Sequence, residues 1–218
     1  MMDHPDARRR FLSRLSERLG KSRGESAPPE GEAREEKLTE EERISRFLRN
    51  LSLLGGRGIR VQGREALRRQ LMEDIDREGG SPLVLWKDPL LEEVTADLPG
   101  VERILWDSGR DSAAQVRDAA RAAAGLVRAE WGVASTGSLV LRSGNDRGRS
   151  VSLLPPVLFA VLRRQDVVSE TRGVWARLGE KVPACINWIT GPSRSADIEG
   201  DLSIGVHGPY RVVVYLLE

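Results

Sequence analysis

From about residue 52 onward, short apolar runs alternate with amphipathic segments, and this alternation restricts the fold more than any other feature of the chain. Ile59-Arg60-Val61, Leu83-Val84-Leu85-Trp86 and Arg103-Ile104-Leu105-Trp106 are strand candidates. Between them, residues 64–77 place Leu67, Leu71 and Ile75 on one helical face. Residues 111–127 are Ala-rich and read as a helix capped by Asp111 or Ser112. Later strand candidates are 137–142, 157–163, 184–188, 202–206 and 211–217, with a helix over 167–178. Pro155-Pro156 forms a rigid turn ahead of the 157–163 strand. Short buried-type strands separated by helices predict an α/β domain with a mostly parallel sheet flanked by helices.

The first 50 residues differ. They hold 23 charged residues and 13 hydrophobic ones, too few to build a core alone. Two stripes are readable there. Phe11, Leu12, Leu15 and Leu19 share a helical face that Gly20 would stop, and Ile44, Phe47, Leu48 and Leu51 form a second face. Thr39 and Glu42 have the spacing of a capping box. Residues 21–36 have the composition of a linker. The expected organisation is a helical arm and linker over 1–50, then an α/β domain over 51–218. A stripe shows burial but not its partner, so the arm is open to packing on its own domain or on another chain.

Composition excludes several classes. No apolar run approaches the roughly 18 residues of a membrane span, and residues 1–10 carry no secretory h-region. Lys and Arg number 34 against 33 acids, so net charge gives no reason to expect nucleic acid. The bases are 30 Arg and 4 Lys, a bias spread along the whole chain. Cys185 is the one cysteine, which rules out an intramolecular disulfide and a Cys-held metal cluster within one chain. A cytoplasmic location without a membrane span is the expectation; a homo-oligomer stays open.

Three Gly-containing turns sit beside strand candidates. In Ala134-Ser135-Thr136-Gly137-Ser138, hydroxyls and backbone N–H groups around Gly137 suit an anion, or else form an ordinary turn. The stretch Thr190-Gly191-Pro192-Ser193-Arg194-Ser195-Ala196-Asp197 follows a strand candidate, and ligands of open α/β sheets gather at strand carboxyl ends. There Arg194 would hold a carboxylate or phosphate, with Ser193 beside it and Asp197 orienting it. In Gly205-Val206-His207-Gly208-Pro209, His207 is the imidazole available for general acid–base work, and Gly208-Pro209 ends the strand. His207 is a candidate catalytic residue, or else a hydrogen-bonded structural one; Asp197 is a second candidate, or else closes the loop on itself by pairing with Arg194. Thr136, Gly137, Ser138, Ser193, Arg194 and Gly208 are the candidate ligand contacts. The chain has no Gly-x-Ser-x-Gly elbow, no Walker A loop and no Gly-x-Gly-x-x-Gly fingerprint, so serine hydrolysis, ATP and NAD lack a motif.

Four segments appear in order: Thr136-Gly137-Ser138; Ser152-Leu153-Leu154-Pro155-Pro156-Val157; Thr190 to Glu199; and Gly205-Val206-His207-Gly208-Pro209. Together they resemble the lactate-utilisation protein C family, the single-domain branch of the LUD-domain group, over about residues 55–218. The resemblance implies a fold similar to the NagB/RpiA/CoA-transferase group. It also implies iron–sulfur partner proteins that together support oxidation of L-lactate to pyruvate. Any cluster would sit in those partners, with no cofactor held by this chain. A stand-alone enzyme acting on a phosphorylated or acyl-CoA substrate is the alternative that this fold group suggests. One position departs from the family pattern. The turn commonly reads Ala-Glu-Thr-Gly, and here Ser135 stands in place of the carboxylate, without its basicity. Glu130 is the nearest acid in sequence, a substitute only where the fold brings it close.

Overall fold

The structure, a computed structural model, describes residues 9–10, 13–14, 17, 38–179, 183, 185–196 and 202–218. Contacts divide the chain into two units, Met1–Glu35 and Glu36–Glu218. In the first unit the described residues are helical and exposed. The apolar positions of the first stripe, Phe11, Leu12, Leu15 and Leu19, lie outside the described residues, as does the linker over 21–36.

The second unit begins with helix α1 (Glu40–Leu53). The capping box forms: Thr39 N donates to Glu42 Oε2 at 2.7 Å, and Glu42 N donates to Thr39 Oγ1 at 3.3 Å. The stripe buries Ile44, Phe47 and Leu51 completely within the main core of this unit. Helix α1 thus packs in cis on the unit that contains the sheets.

The central sheet is six-stranded and parallel throughout. Its strands are β1 (Arg57–Val61), β2 (Leu83–Trp86), β3 (Arg103–Trp106), β4 (Ala124–Arg128), β7 (Val157–Arg163) and β12 (Arg211–Leu217), in the spatial order β1-β12-β7-β4-β2-β3. The inner strands are buried along nearly their whole length, while β1 and β3 at the edges are partly open. A strand covered on both faces needs apolar residues at every position, which is why these segments read as continuous runs. Helices α2 (Gly63–Glu78), α3 (Pro89–Thr95), α4 (Ser112–Arg121) and α5 (Ser150–Leu153) connect these strands.

The second sheet is mixed and four-stranded. It comprises β5 (Trp131–Val133), β6 (Ser138–Arg142), β8 (Val167–Val168) and β9 (Ile186–Ile189), in the order β8-β5-β6-β9. Helix α6 (Thr171–Leu178) covers a smaller core formed by Trp131, Val133, Val140, Val168, Val174 and Leu178. Strands β10 (Arg194–Ala196) and β11 (Leu202–Ile204) form an antiparallel pair.

Two elements differ from their sequence reading. Residues 111–127 are not one helix: α4 stops at Arg121, and 124–128 is a central strand. A short Ala- and Gly-containing strand buried on both faces has no period that separates it from a buried helix. Residues 167–178 likewise divide, into β8 and α6.

Candidate functional site

The turn between β5 and β6 is held by helix α1. Asn50 Nδ2 donates to the carbonyls of Ala134 at 2.8 Å and Ser135 at 3.1 Å. Gly137 has φ +67°, and a Cβ there would fall on the backbone of Asn50 and Leu51. Only glycine allows both the left-handed backbone and this approach. The buried Ser138 hydroxyl lies 2.7 Å from Thr136 Oγ1 and 2.8 Å from Thr190 Oγ1. The first and second Gly turns therefore meet.

The second turn meets the same helix at its carboxyl end. Gly191 has φ +78°, and its backbone packs against the Leu54 carbonyl. The exposed Arg194 donates through Nη2 to Leu54 O at 2.6 Å. A guanidinium there neutralises the partial negative charge of the α1 carboxyl end. The third turn joins the second through the backbone: Ser193 N donates to Pro209 O at 2.8 Å, and Gly205 N donates to Ser193 O at 2.9 Å. A Cβ on Gly208 would lie 3.3 Å from that of Ser193. All three turns thus form one continuous surface, the first two against the carboxyl end of α1 and the third against the second. His207 is exposed on it, and Asp197 lies outside the described residues.

This surface does not lie at the carboxyl ends of the parallel strands. Strand β9, which precedes Arg194, pairs antiparallel with β6 in the small sheet rather than lying in the parallel one. Residues 205–210 and Gly55-Gly56 lead into the amino ends of β12 and β1. The converged turns consequently lie toward the amino end of the parallel sheet, opposite the edge where its strands finish.

Ser135 lines a cleft of about 640 Å³ with Arg46, Arg49 and Asn50 of α1. Glu130 does not reach it. The Glu130 carboxylate instead lines a different cavity and pairs with Arg147 at 3.3 Å and Arg142 at 3.8 Å.

No sequence motif marks a second cavity, of about 280 Å³. Arg128, Arg142, Arg147 and Arg163 line it with Glu130 and Asp166. Its signal was present in the sequence, because the strands AGLVR, SLVLR and VLFAVLR each end in arginine. The Arg-rich background of the whole chain concealed it. Burial raises the Asp166 carboxyl above the ordinary carboxylate range, opposed by Arg163, Arg177 and Arg128 and reinforced by the Glu130 charge. Among the described residues, no group of three His, Cys, Asp or Glu side chains is placed to hold a metal ion. No described helix is long and apolar enough to cross a membrane.

Comparison with known proteins agrees with this architecture. Lactate utilization protein C of Bacillus subtilis (strain 168) is 37% identical over 161 residues, an alignment covering 68% of this chain and 67% of the relative. The protein of that name from Halalkalibacterium halodurans is 38% identical over 144 residues, covering 62% of each. The chain thus spans about two thirds of the length of these relatives. Uncharacterized protein YkgG of Escherichia coli (strain K12) is 30% identical over 229 residues, covering 98% of this chain and 99% of YkgG. A crystal structure of a DUF162 family protein from Deinococcus radiodurans shares the fold, with a TM-score of 0.62 at 22% identity, over 83% of this chain and 99% of that one. The LUD domain family model matches residues 44–217, a span that includes the buried part of α1, both sheets and all three Gly turns, and the chain belongs to the LUD domain family.

Proposed function

We propose that this chain serves lactate utilization as a non-redox subunit, working in the cytoplasm beside iron–sulfur partner proteins. The observation that carries the reading is the 37% identity to a Lactate utilization protein C over 161 residues. Cysteine arithmetic supports the non-redox part. An iron–sulfur cluster needs about four thiolate ligands, and Cys185 is the one thiol, so this chain's residues do not fit a cluster. In this reading the electrons pass through partners, and the chain contributes binding surface. The converged turns carrying Thr136–Ser138, Ser193–Arg194 and His207–Gly208 offer a largely backbone-built face for that contact. Arg194 acts there chiefly as a cap on α1, because its guanidinium already serves the Leu54 carbonyl.

The test is genetic. Cells lacking the chain are expected to grow on glucose and to fail on L-lactate as sole carbon source. A Cys185→Ser chain is expected to restore growth as fully as the wild-type chain. Unimpaired growth of the deletion strain on L-lactate would refute the role. Rescue by wild type but not by Cys185→Ser would refute the non-redox assignment.

A further inference from the structure

Arg128 and Arg163 close two adjacent central strands, β4 and β7, which run parallel with Arg128 opposite Val161. Their carboxyl ends are where open parallel sheets place ligands. Arg142, at the end of β6, and Arg147 reach the same cavity. Four guanidiniums therefore face Glu130 and Asp166 across a space of about 280 Å³, with Asp88 behind Arg128, so arginines still outnumber carboxylates.

Three of these arginines are held in place by carboxylates. Glu130 pairs with both Arg142 and Arg147, and Arg128 Nε donates to the buried Asp88 at 2.8 Å. A guanidinium carries five N–H donors, so one ion pair leaves most of its donors for another partner. Among the described residues, Arg163 forms no ion pair. Trp131 supplies a wall beside the charged groups. Such a set suits planar carboxylate or tetrahedral oxyanion groups, which guanidinium forks bind in bidentate fashion. The volume sits at the small end of ligand pockets, generally about 300–1,000 Å³. It therefore favours a compact anion over a nucleotide or acyl-CoA.

We propose that this cavity is a binding site for a small anion bearing a carboxylate or tetrahedral oxyanion group, with Arg163 as its direct contact and Arg128, Arg142 and Arg147 as the pre-oriented remainder. The site is separate from the converged Gly turns. Its assignment rests on the cavity alone and stands or falls independently of the lactate reading.

Calorimetric titration of the full-length chain at low ionic strength tests it, with sodium sulfate and sodium L-lactate as separate probes. Saturable binding of at least one probe is expected, and the responding probe identifies the favoured anion geometry. Arg163→Gln is expected to weaken that binding at least tenfold, and Arg147→Gln to weaken it as well. Arg69→Gln, on the surface of α2, is expected to leave it unchanged. Thermal melting of each variant confirms that it is folded, and Arg147→Gln decides the question should Arg163→Gln fail to fold. Absence of saturable binding of either probe to the wild-type chain would overturn the proposal. So would affinities of folded Arg163→Gln and Arg147→Gln equal to that of wild type.

Discussion

The hydroxyls of Ser138 and Thr190 lie 2.8 Å apart although 52 residues separate them in sequence. This bond ties the start of β6 to the turn that follows β9. Helix α1 closes the joint from the other side, through Asn50 at the Ala134 and Ser135 carbonyls and through Leu54 at Arg194. The first two Gly turns are thus built against the carboxyl end of one helix, and the third is fastened to the second through the backbone at Ser193.

Gly137→Ala tests that joint. The left-handed backbone alone costs an ordinary residue about 1–3 kcal/mol, and the added methyl also meets the Asn50–Leu51 backbone. A loss at or above the upper end of that range is expected, read as a lower urea midpoint. A midpoint equal to wild type would show that the turn and helix are not in contact.

Arg194→Ala separates capping from ligand binding. The exposed guanidinium caps Leu54, so its loss is expected to cost about 0.5–1 kcal/mol. Sulfate or L-lactate affinity, measured by calorimetry, is expected to stay within about twofold, because the cavity arginines are untouched. A loss of anion binding without a change in stability would return the anion to Arg194.

Alkaline stability is expected to depend on Tyr215. Its buried hydroxyl donates to Asp74 Oδ2 at 2.9 Å, and Asp74 is also paired with Arg57 and Arg77. Burial, then the Asp74 charge, raises the Tyr215 pKa far above its usual value. The unfolded chain releases this proton from about pH 10 upward while the folded chain keeps it. Stability therefore falls by about 1.4 kcal/mol per pH unit above that point from this group. Tyr215→Phe is expected to cost about 1–2 kcal/mol at pH 7 and to lessen the alkaline slope, as measured by denaturant unfolding between pH 7 and 11. Equal slopes would contradict the buried hydroxyl.

Acid is expected to strengthen anion binding at the arginine cavity. Asp166 faces Arg163, Arg177, Arg128 and Glu130, and burial raises its carboxyl pKa. As pH falls through that raised value, the carboxyl gains a proton and the cavity loses a negative charge. Sulfate affinity should rise accordingly, since sulfate itself does not titrate in this range. Asp166→Asn is expected to bind sulfate more tightly at pH 7 and with a flatter pH dependence. An unchanged affinity and profile would remove Asp166 from the cavity's electrostatics.

Much of this architecture was readable from residue order. Leu83–Trp86, Val157–Arg163 and Arg211–Leu217 announced themselves because strands buried on both faces are apolar throughout. The Thr39–Glu42 box fixed the start of α1 because capping is local chemistry. Ala124–Arg128 was hidden because a short Ala- and Gly-containing strand, buried on both faces, has no period that separates it from the Ala-rich helix just before it. The meeting of Ser138 with Thr190 is non-local, joining turns 52 residues apart. The strand before Arg194 joins the small sheet rather than the parallel one, which residue order does not show, because a strand and its following loop look alike in sequence whichever sheet the strand joins. The arginines ending β4, β6 and β7 were visible individually, but only the sheet topology brings them to one cavity.

The most direct test of the non-redox subunit account is affinity purification of the tagged full-length chain from its native cells, with iron content and L-lactate-dependent dye reduction measured on the eluate. The account predicts co-purifying iron–sulfur proteins, iron in the eluate and lactate-dependent dye reduction. A solitary, iron-free chain whose eluate reduces no dye with L-lactate would contradict it.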